Sequence, residues 1–303
     1  MITIEMKYKE HIKVAFLGGD RRATTAAIKL AEQRYDVFSW AIPANDFNGK
    51  VVFCEDISEA LKNAEAIILP LPSSSDGINL NCMPEREEKI KLVDIADMIA
   101  NGAVIVGGRL PRAFFNYCEA KGIKIFDYFE SEGFQIKNAY TTAEAALGIA
   151  MNNLQKNVRG AKFGVTGYGR IARQLVRLLR ALGGEVTVAA RKESDRTLAE
   201  LEGCATVKIN EKSGIKKLIS GYDVIFNTVP EMIFDAELLE KADKKTLFIE
   251  LASAPGGIDI SAAKRIHSNV LWAPSLPGKY APESAGELIA DCVADIIESE
   301  VIP

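Results

Sequence analysis

AKFGVTGYGRIARQLVRLLRALGGEVTVAAR, residues 161–191, carries the pattern that decides the fold of this 303-residue chain. A short apolar run at 163–165 predicts a buried strand, and Gly167, Gly169 and Ala172 follow it at the spacing G-x-G-x-x-A. Apolar residues at helical spacing come next, and two glycines at 183–184 end that helix before a second β-rich run. The stretch therefore predicts a strand, a helix and a second strand that together bind a dinucleotide.

The spacing of the glycines has a physical reason. Gly167 permits the tight turn, Gly169 lets the backbone approach a pyrophosphate, and the helix that follows presents its free N–H groups to the phosphates. Later strands end at 227–230 and 251–257, where the backbone can approach the nicotinamide. The predicted cofactor-binding residues are Gly167, Tyr168, Gly169, Arg170, Ile171, Ala190, Arg191, Lys192, Ser194, Asn227, Thr228, Val229, Pro230, Leu251 and Ala252.

The end of the second strand favours NADP over NAD. An acidic residue at this point would bind the ribose 2′-hydroxyl of NAD, but the sequence has Ala190 followed by Arg191, Lys192 and Ser194. Two cations and a hydroxyl suit a 2′-phosphate. The alternative is a solvated basic turn that accepts either cofactor.

Composition excludes several classes of protein. Hydrophobic residues make up 48% and charged residues 26%, and the net charge of −4 argues against a general nucleic-acid binder. No run approaches the ~18 apolar residues of a membrane span, and MITIEMKYKEHIK at the start lacks an apolar signal core, so we expect a cytoplasmic protein. Five scattered cysteines and two histidines predict no metal site.

Strands alternate with helices along the whole chain, which predicts two doubly wound parallel sheets. We expect a flavodoxin-like N-terminal domain and a Rossmann NAD(P)-binding domain, joined by long interdomain helices. In the N-terminal half, residues 85–100 are predicted to be helical.

Two long helices define the predicted domain boundaries. Residues 131–139 are predicted to form a polar connection, and an N-cap pattern at 140–144 begins a hinge helix that runs to about Asn157. A terminal helix crosses back to the first domain. The predicted domains are 1–140 with 283–303 for the substrate, and 141–282 for the cofactor.

Three polar loops follow strands of the first domain, at 18–22, 73–77 and 107–109. In parallel sheets ligands bind beyond the carboxyl ends of the strands, so the loops together favour a small polar or anionic substrate. Ordinary turns capped by Asp20 or Asp76 are the alternative for each loop, and capping alone explains the residues at 141–144 equally well. The predicted substrate-binding residues are Asp20, Arg21, Arg22, Ser73, Ser75, Gly77, Arg109, Thr142 and Lys279.

Five motifs together resemble the A-subunit family of dipicolinate synthase from spore-forming bacteria. They are GGDRR at 18–22, LPLPSSSDG at 69–77, TTAEAALGIAM at 141–151, VTGYGRIAR at 165–173 and SLPGKYAPESAG at 275–286. The resemblance implies a mother-cell enzyme of sporulation that oxidises dihydrodipicolinate to pyridine-2,6-dicarboxylate with a nicotinamide cofactor. It also implies a partner, the flavoprotein-like B subunit of dipicolinate synthase. We further expect a homo-oligomer that binds neither nucleic acid nor membrane.

The residues fit a dicarboxylate substrate. Arg21 or Arg22, Arg109 and Lys279 are candidate cations for its carboxylates. Loss of a hydride and a proton makes the ring aromatic, so a carboxylate or a water held by the serines suffices as the base. The predicted catalytic residues are Asp76, Ser74 and Glu144.

Two other functions remain open. A two-domain dehydrogenase of the 2-hydroxy-acid type shares the predicted architecture, but it requires a histidine acid–base, and only His267, at the end of a predicted surface helix, is a candidate. A non-catalytic nucleotide-binding subunit, whose partner carries the chemistry, is the second.

Overall fold

The protein is described by a computed structural model over residues 12–43, 49–209 and 212–301, without the side chains of residues 212 and 213. The expectation about a signal segment falls mainly on residues 1–11, and the predicted terminal helix extends to residue 303, so both lie partly outside the described residues. Among the described helices, none is long and apolar enough to cross a membrane.

Strands and helices alternate along the described residues. The strands are β1 (Ile12–Leu17), β2 (Tyr35–Trp40), β3 (Val51–Phe53), β4 (Ala66–Ile68), β5 (Val104–Gly107), β6 (Ile125–Asp127), β7 (Lys162–Thr166), β8 (Glu185–Ala190), β9 (Ala205–Lys208), β10 (Val224–Asn227), β11 (Leu247–Glu250) and β12 (Val270–Trp272). The helices are α1 (Arg21–Ala31), α2 (Ile57–Leu61), α3 (Leu92–Met98), α4 (Arg112–Ala120), α5 (Glu132–Asn153), α6 (Arg170–Ala181), α7 (Glu193–Leu201), α8 (Lys212–Leu218), α9 (Ala236–Lys241), α10 (Ile260–Arg265), α11 (Leu276–Tyr280) and α12 (Pro282–Glu300).

The chain divides into two compact units. Unit 1 consists of Met1–Lys137 with Ala281–Pro303, and unit 2 of Asn138–Tyr280. Each unit contains a six-stranded parallel sheet, in the order β3-β2-β1-β4-β5-β6 in unit 1 and β12-β11-β10-β7-β8-β9 in unit 2. The prediction of two doubly wound parallel sheets is confirmed.

The sheet of unit 1 has one strand more than a flavodoxin sheet. Without the short edge strand β3, the order β2-β1-β4-β5-β6 is the five-stranded flavodoxin order. With β3 the order is that of the six-stranded nucleotide-binding sheet, and unit 2 repeats it. The side chains of β1 and β4 are almost completely buried, as expected for central parallel strands that helices cover on both faces.

Helix α12 belongs to the core of unit 1, where it packs on α1. Ile289, Val293 and Ile297 bury the apolar face of α12. The two helices approach closely at Gly286, because a Cβ there would lie 2.5 Å from the Cβ of Thr25. Unit 1 is therefore built from both ends of the chain.

The structure differs from the predicted extent of the helix at 85–100 and from the predicted start of the hinge helix after the connection at 131–139. Only 92–98 of the first segment is helical, because Ile90 and Lys91 pair in extended conformation with residues 78–80: the N–H of Leu80 donates to the oxygen of Ile90 at 2.9 Å. In the second segment α5 already begins at Glu132, so the predicted polar connection is helical. Thr142 is not a cap but an interior residue, whose hydroxyl donates to the carbonyl of Asn138 at 2.8 Å.

Candidate functional site

The glycine-rich loop of unit 2 has the geometry that a pyrophosphate needs. Gly167 follows β7 with a φ of +82°, a left-handed conformation that side chains disfavour. Gly169 is the N-cap of α6 and offers no capping side chain. A Cβ built at Gly169 would meet nothing within 4 Å, so the space in front of the helix N-terminus is open. The first N–H groups of α6, beginning at Arg170 and Ile171, face outward from the helix end.

Beside this loop lies a cavity of about 500 Å³, within the range of small-molecule sites. The predicted residues that line it are Gly167, Tyr168, Ala190, Arg191, Lys192 and Val229. No sequence pattern indicates the other lining residues, which are Asp195, Ile209, Ile215, Lys216, Glu231, Met232, Ile233, Asp235, Glu237 and Leu238. They lie in α7, α8 and α9, directly after β9, and in the segment between β10 and α9, which are separated in sequence and carry no shared motif.

The turn after β8 is basic and firmly held. Arg191, Lys192 and Ser194 are exposed, and no carboxylate occupies the last position of β8, which is the buried Ala190. The Nη1 of Arg196 donates to the carbonyls of Ala190 and Arg191 at 3.1 and 2.9 Å. Lys216 adds a third cation to the cavity wall. This turn offers a 2′-phosphate several donors and a fixed backbone.

Tyr168, between the two glycines, anchors the loop. Its side chain is buried, which raises the pKa of its hydroxyl well above the usual value, with Glu202 as the next cause. The guanidinium of Arg173 lies 5.3 Å from the centre of the ring, and its Nε donates to the carbonyl of Tyr168 at 3.0 Å. The buried ring of Tyr168 and the hydrogen bond from Arg173 to its carbonyl therefore hold the loop in place.

A buried carboxylate organises the ends of β10 and β11. Glu250 is 1% exposed, and its oxygens accept hydrogen bonds from the N–H groups of Ala252, Gly257 and Ile258 at 2.8–3.0 Å. The Nδ2 of Asn227 donates to both oxygens. No sequence pattern indicates the role of Glu250, since a single acidic residue at the end of a strand is not distinctive.

The side chain of Asn227 is therefore engaged within the protein, and its contact with the cofactor stays a prediction. Its side chain is buried, and its Oδ1 accepts from the hydroxyl of Thr166 at 2.5 Å and from the N–H of Val229 at 3.3 Å. Of the other predicted residues near these strand ends, Thr228 donates its hydroxyl to the carbonyl of Thr166 at 2.7 Å, Pro230 is exposed, and Leu251 and Ala252 are buried.

In unit 1 the three predicted loops lie side by side, because β1, β4 and β5 are neighbours in the sheet. Ser73 connects two of them: its N–H donates to the carbonyl of Gly108 at 2.8 Å, and its hydroxyl to the carbonyl of Arg109 at 3.4 Å. Gly19 in the first loop donates its N–H to the carbonyl of Asn81 at 2.8 Å. The order of the strands in the parallel sheet therefore brings the three loops together.

Asp20 and Arg22 pair with each other. Asp20 is the N-cap of α1, and its carboxylate accepts two hydrogen bonds from the Nε of Arg22 and one from its Nη2, at 2.7–3.1 Å. The same Nη2 donates to the carbonyl of Leu71. The charge of Arg22 is thus neutralised and buried, whereas Arg21 is exposed.

Asp76 is engaged in its own loop. It accepts hydrogen bonds from the hydroxyl of Ser74, from the N–H of Ile78 and from both the N–H and the Nδ2 of Asn79, at 2.6–3.0 Å. These donors, with those of Asn79 first, hold the pKa of the Asp76 carboxyl far below its usual value. Asp76 is therefore a weak base. Ser75 and Gly77 are exposed beside it, whereas Ser73 is buried.

Arg109 presents an exposed guanidinium at the end of the third loop, with its centre 5.3 Å from the ring centre of Phe129. The remaining predicted substrate and catalytic residues belong to unit 2. Thr142 lies buried within α5, Glu144 is exposed on the same helix, and Lys279 is exposed in the short helix α11.

Two family models match the chain. The model of the N-terminal domain of the dipicolinate synthase A subunit matches residues 13–129, and that described as D-isomer specific 2-hydroxyacid dehydrogenase, NAD binding domain, matches residues 135–257. The dipicolinate synthase A subunit from Bacillus subtilis is 29% identical over 94% of this chain and 96% of that protein.

Two solved structures of such proteins superpose over almost the whole chain. The A chain of dipicolinate synthase from Bacillus subtilis is 28% identical, with a TM-score of 0.81 over 96% of this chain and 97% of that one. The corresponding protein from Bacillus halodurans is 26% identical, with a TM-score of 0.82 over 95% and 97% of the two chains.

Proposed function

The chain belongs to the A-subunit family of dipicolinate synthase, and from that membership we propose that it oxidises dihydrodipicolinate to dipicolinate with NADP as the preferred hydride acceptor. Its dehydrogenase-type NAD-binding domain makes it an oxidoreductase that uses a nicotinamide cofactor. The choice of substrate and of NADP over NAD is the proposal.

The open phosphate loop is the observation that carries this function. The unfilled space at Gly169, the start of α6 and the adjacent cavity of about 500 Å³ fit a dinucleotide whose pyrophosphate lies on the helix N-terminus. Arg191 and Lys192 would hold a 2′-phosphate, with Lys216 on the same cavity wall. The hydrogen bonds from Arg196 support this choice, because they keep the turn in one conformation.

A nicotinamide cofactor held at the loop of Gly167 and Gly169 would supply the acceptor for a hydride from a ring carbon of the substrate. The dihydropyridine ring also loses one proton, so the products are dipicolinate, the reduced cofactor and a proton. Ring aromaticity drives the reaction, and catalysis consists mainly of positioning. A water molecule or an exposed carboxylate such as Glu144 receives the proton, since the low pKa of Asp76 makes it a poor acceptor.

We propose different tasks for three arginines of unit 1. Arg21 and Arg109 have exposed guanidiniums that suit the substrate carboxylates. Arg22 holds its loop together, because Asp20 already neutralises it. Lys279 and Thr142 remain proposed substrate contacts.

The family name implies a second component, and we propose that the B subunit of dipicolinate synthase joins this chain in a two-component enzyme of the sporulating mother cell. The test is to follow reduced nicotinamide by its absorbance, with freshly generated dihydrodipicolinate and with NADP and NAD in parallel. Reduction by this chain alone supports the proposal. Turnover only after the B subunit is added would favour a nucleotide-binding subunit whose partner carries the chemistry. Faster reduction of NAD than of NADP would contradict the cofactor choice.

A further inference from the structure

Arg109 combines an exposed cation with a strained backbone. Its φ is +53°, in the left-handed region where glycine is at ease and a residue with a Cβ is not. The two preceding residues are Gly107 and Gly108, yet the left-handed position itself is occupied by an arginine. Strain of this kind persists where the surroundings enforce it, and it is concentrated at functional positions.

The surroundings of Arg109 enforce this conformation from both sides. The N–H of Arg109 donates to Oδ1 of Asp127 at 3.0 Å, and its carbonyl accepts from the hydroxyl of Ser73 at 3.4 Å. The next N–H, that of Leu110, donates to Oδ2 of Asp127 at 2.8 Å. Asp127 at the end of β6 therefore fixes two successive peptides with one carboxylate.

The same carboxylate also sets the aromatic surface beside the guanidinium. Oδ1 of Asp127 accepts the N–H of Phe129 at 2.8 Å, and the Phe129 ring packs at 5.9 Å against the buried Phe134. The Phe129 ring thus lies 5.3 Å from the guanidinium centre of Arg109. Stacking on a ring leaves the in-plane N–H donors of an arginine available for a planar anion.

The charge of Arg109 distinguishes it from its neighbour in the site. Arg22 is paired with Asp20, whereas in the described part of the chain no carboxylate forms an ion pair with the guanidinium of Arg109. The carboxylate of Asp127 accepts hydrogen bonds from the backbone N–H groups of Arg109 and Leu110 and not from the guanidinium of Arg109. An exposed, oriented and uncompensated arginine is suited to a carboxylate ligand.

We propose that Arg109 is the specificity-determining cation for the second carboxylate of the substrate, and that Asp127 is the positioning residue that holds it. This inference rests on the proposed function. It explains why the chain retains an arginine at a position whose backbone favours glycine. It also separates the roles of the arginines in unit 1, since Arg22 stabilises its loop and Arg109 discriminates between ligands.

The test is the binding of two stable aromatic acids, dipicolinate and the monocarboxylate picolinate, to the chain with its cofactor and the B subunit. We expect Arg109→Gly to weaken dipicolinate binding about 10- to 100-fold while binding of picolinate changes little. Glycine tolerates the left-handed backbone, so the thermal midpoint should stay the same or rise. Asn63→Gly is the control: Asn63 is exposed with a φ of +58°, and its replacement introduces a glycine in the same left-handed conformation without changing ligand binding.

Asp127 is tested by a double-mutant cycle. Asp127→Asn should weaken dipicolinate binding in the unaltered chain but add little to Arg109→Gly, because its effect passes through the arginine. If Asp127 had only a structural role, Asp127→Asn would weaken dipicolinate binding by the same factor in the unaltered chain and in Arg109→Gly. That result would overturn the positioning role. If Asp127→Asn lowers the thermal midpoint too far, Phe129→Leu tests the same coupling, since it keeps an apolar side chain and removes the ring.

The outcomes distinguish this inference from the proposed function. Failure of the unaltered protein, with the B subunit present, to bind dipicolinate refutes both. Binding that Arg109→Gly leaves unchanged, or a parallel loss of both acids, refutes the assignment of Arg109 alone.

Discussion

Asn227 and Glu250 face each other at the ends of neighbouring strands, with Nδ2 of the amide 2.7 and 2.9 Å from the two carboxylate oxygens. The orientation of the amide is determined by the backbone, because the N–H of Val229 must donate to Oδ1 of Asn227. Every hydrogen-bond partner of Glu250 is thus a donor, and the carboxylate serves as their common acceptor.

Glu250→Gln should therefore destabilise unit 2. In either orientation the new amide turns an NH₂ group toward N–H donors, and we expect a loss of about 3 kcal/mol in the free energy of unfolding. Urea denaturation measures it. Glu240→Gln is the control, since Glu240 is exposed on α9 and should change stability by less than about 0.5 kcal/mol. Equal stabilities of the two variants would show that the buried network contributes nothing.

The two loop glycines should separate folding from cofactor binding. Gly169→Ala places a methyl group in open space, so stability should change by less than about 1 kcal/mol while NADP binding weakens by about tenfold or more. Gly167→Ala should instead cost about 1–3 kcal/mol, because its φ is +82° and the Cβ would lie 2.7 Å from the Thr228 hydroxyl. Calorimetric titration with NADP and urea denaturation provide the two readouts. Tight binding by Gly169→Ala would mean that the pyrophosphate lies elsewhere.

The basic turn should control the choice of cofactor. Arg191→Ala removes a charge that only a 2′-phosphate needs, so the Kd for NADP should rise about 10- to 100-fold and that for NAD by less than about threefold. Binding titrations with both cofactors measure this. Lys244→Ala removes an exposed cation outside the cavity and should leave both Kd values unchanged. A similar rise for both cofactors after Arg191→Ala would favour the solvated turn that accepts either.

Asp76 should influence stability in a pH-dependent manner. Its pKa is lowered in the folded chain by the hydrogen bonds of Asn79, Ile78 and Ser74, so its contribution is present above the unfolded pKa of about 3.9 and is lost as the pH falls below it. Thermal midpoints of Asp76→Asn should lie below those of the unaltered chain at about pH 7, and the gap should shrink toward about pH 3. A gap that widens on acidification would contradict the direction of the shift. Activity between about pH 5 and 8 should show no ionisation from this group.

Local patterns predicted most of the strands and the cofactor loop. Apolar runs such as 163–165, followed by glycines, correspond to strands in the structure. Such runs are recognisable in the sequence because parallel strands are covered by helices on both faces and are therefore apolar throughout. Six predicted cofactor residues line one cavity for the same reason: the strand ends of one sheet edge must meet.

The errors arise where distant residues decide the local structure. Residues 90–91 have a helical pattern, but pairing with residues 78–80 draws them into extended conformation. The guanidinium of Arg22, a predicted substrate contact, bonds to Asp20 and to a carbonyl 49 residues away, and the local sequence does not indicate the second partner. No sequence pattern indicates Glu250 or Asp127, because these carboxylates accept hydrogen bonds from backbone N–H groups, which have no sequence signature.

The packing of α12 on α1 has a consequence for the order in which the protein forms on the ribosome. Unit 2 is a single continuous segment, whereas unit 1 needs a helix that is synthesised after the whole of unit 2. The N-terminal sheet must therefore wait with the α1 surface around Arg22 and Thr25 uncovered until Gly286 has emerged, by which time the cofactor-binding unit has its full sequence. A chain that terminates before α12 would contain the whole of unit 2. In unit 1 the surface of α1 that α12 normally covers would stay exposed. We expect the exposed apolar surface of such a fragment to bind chaperones.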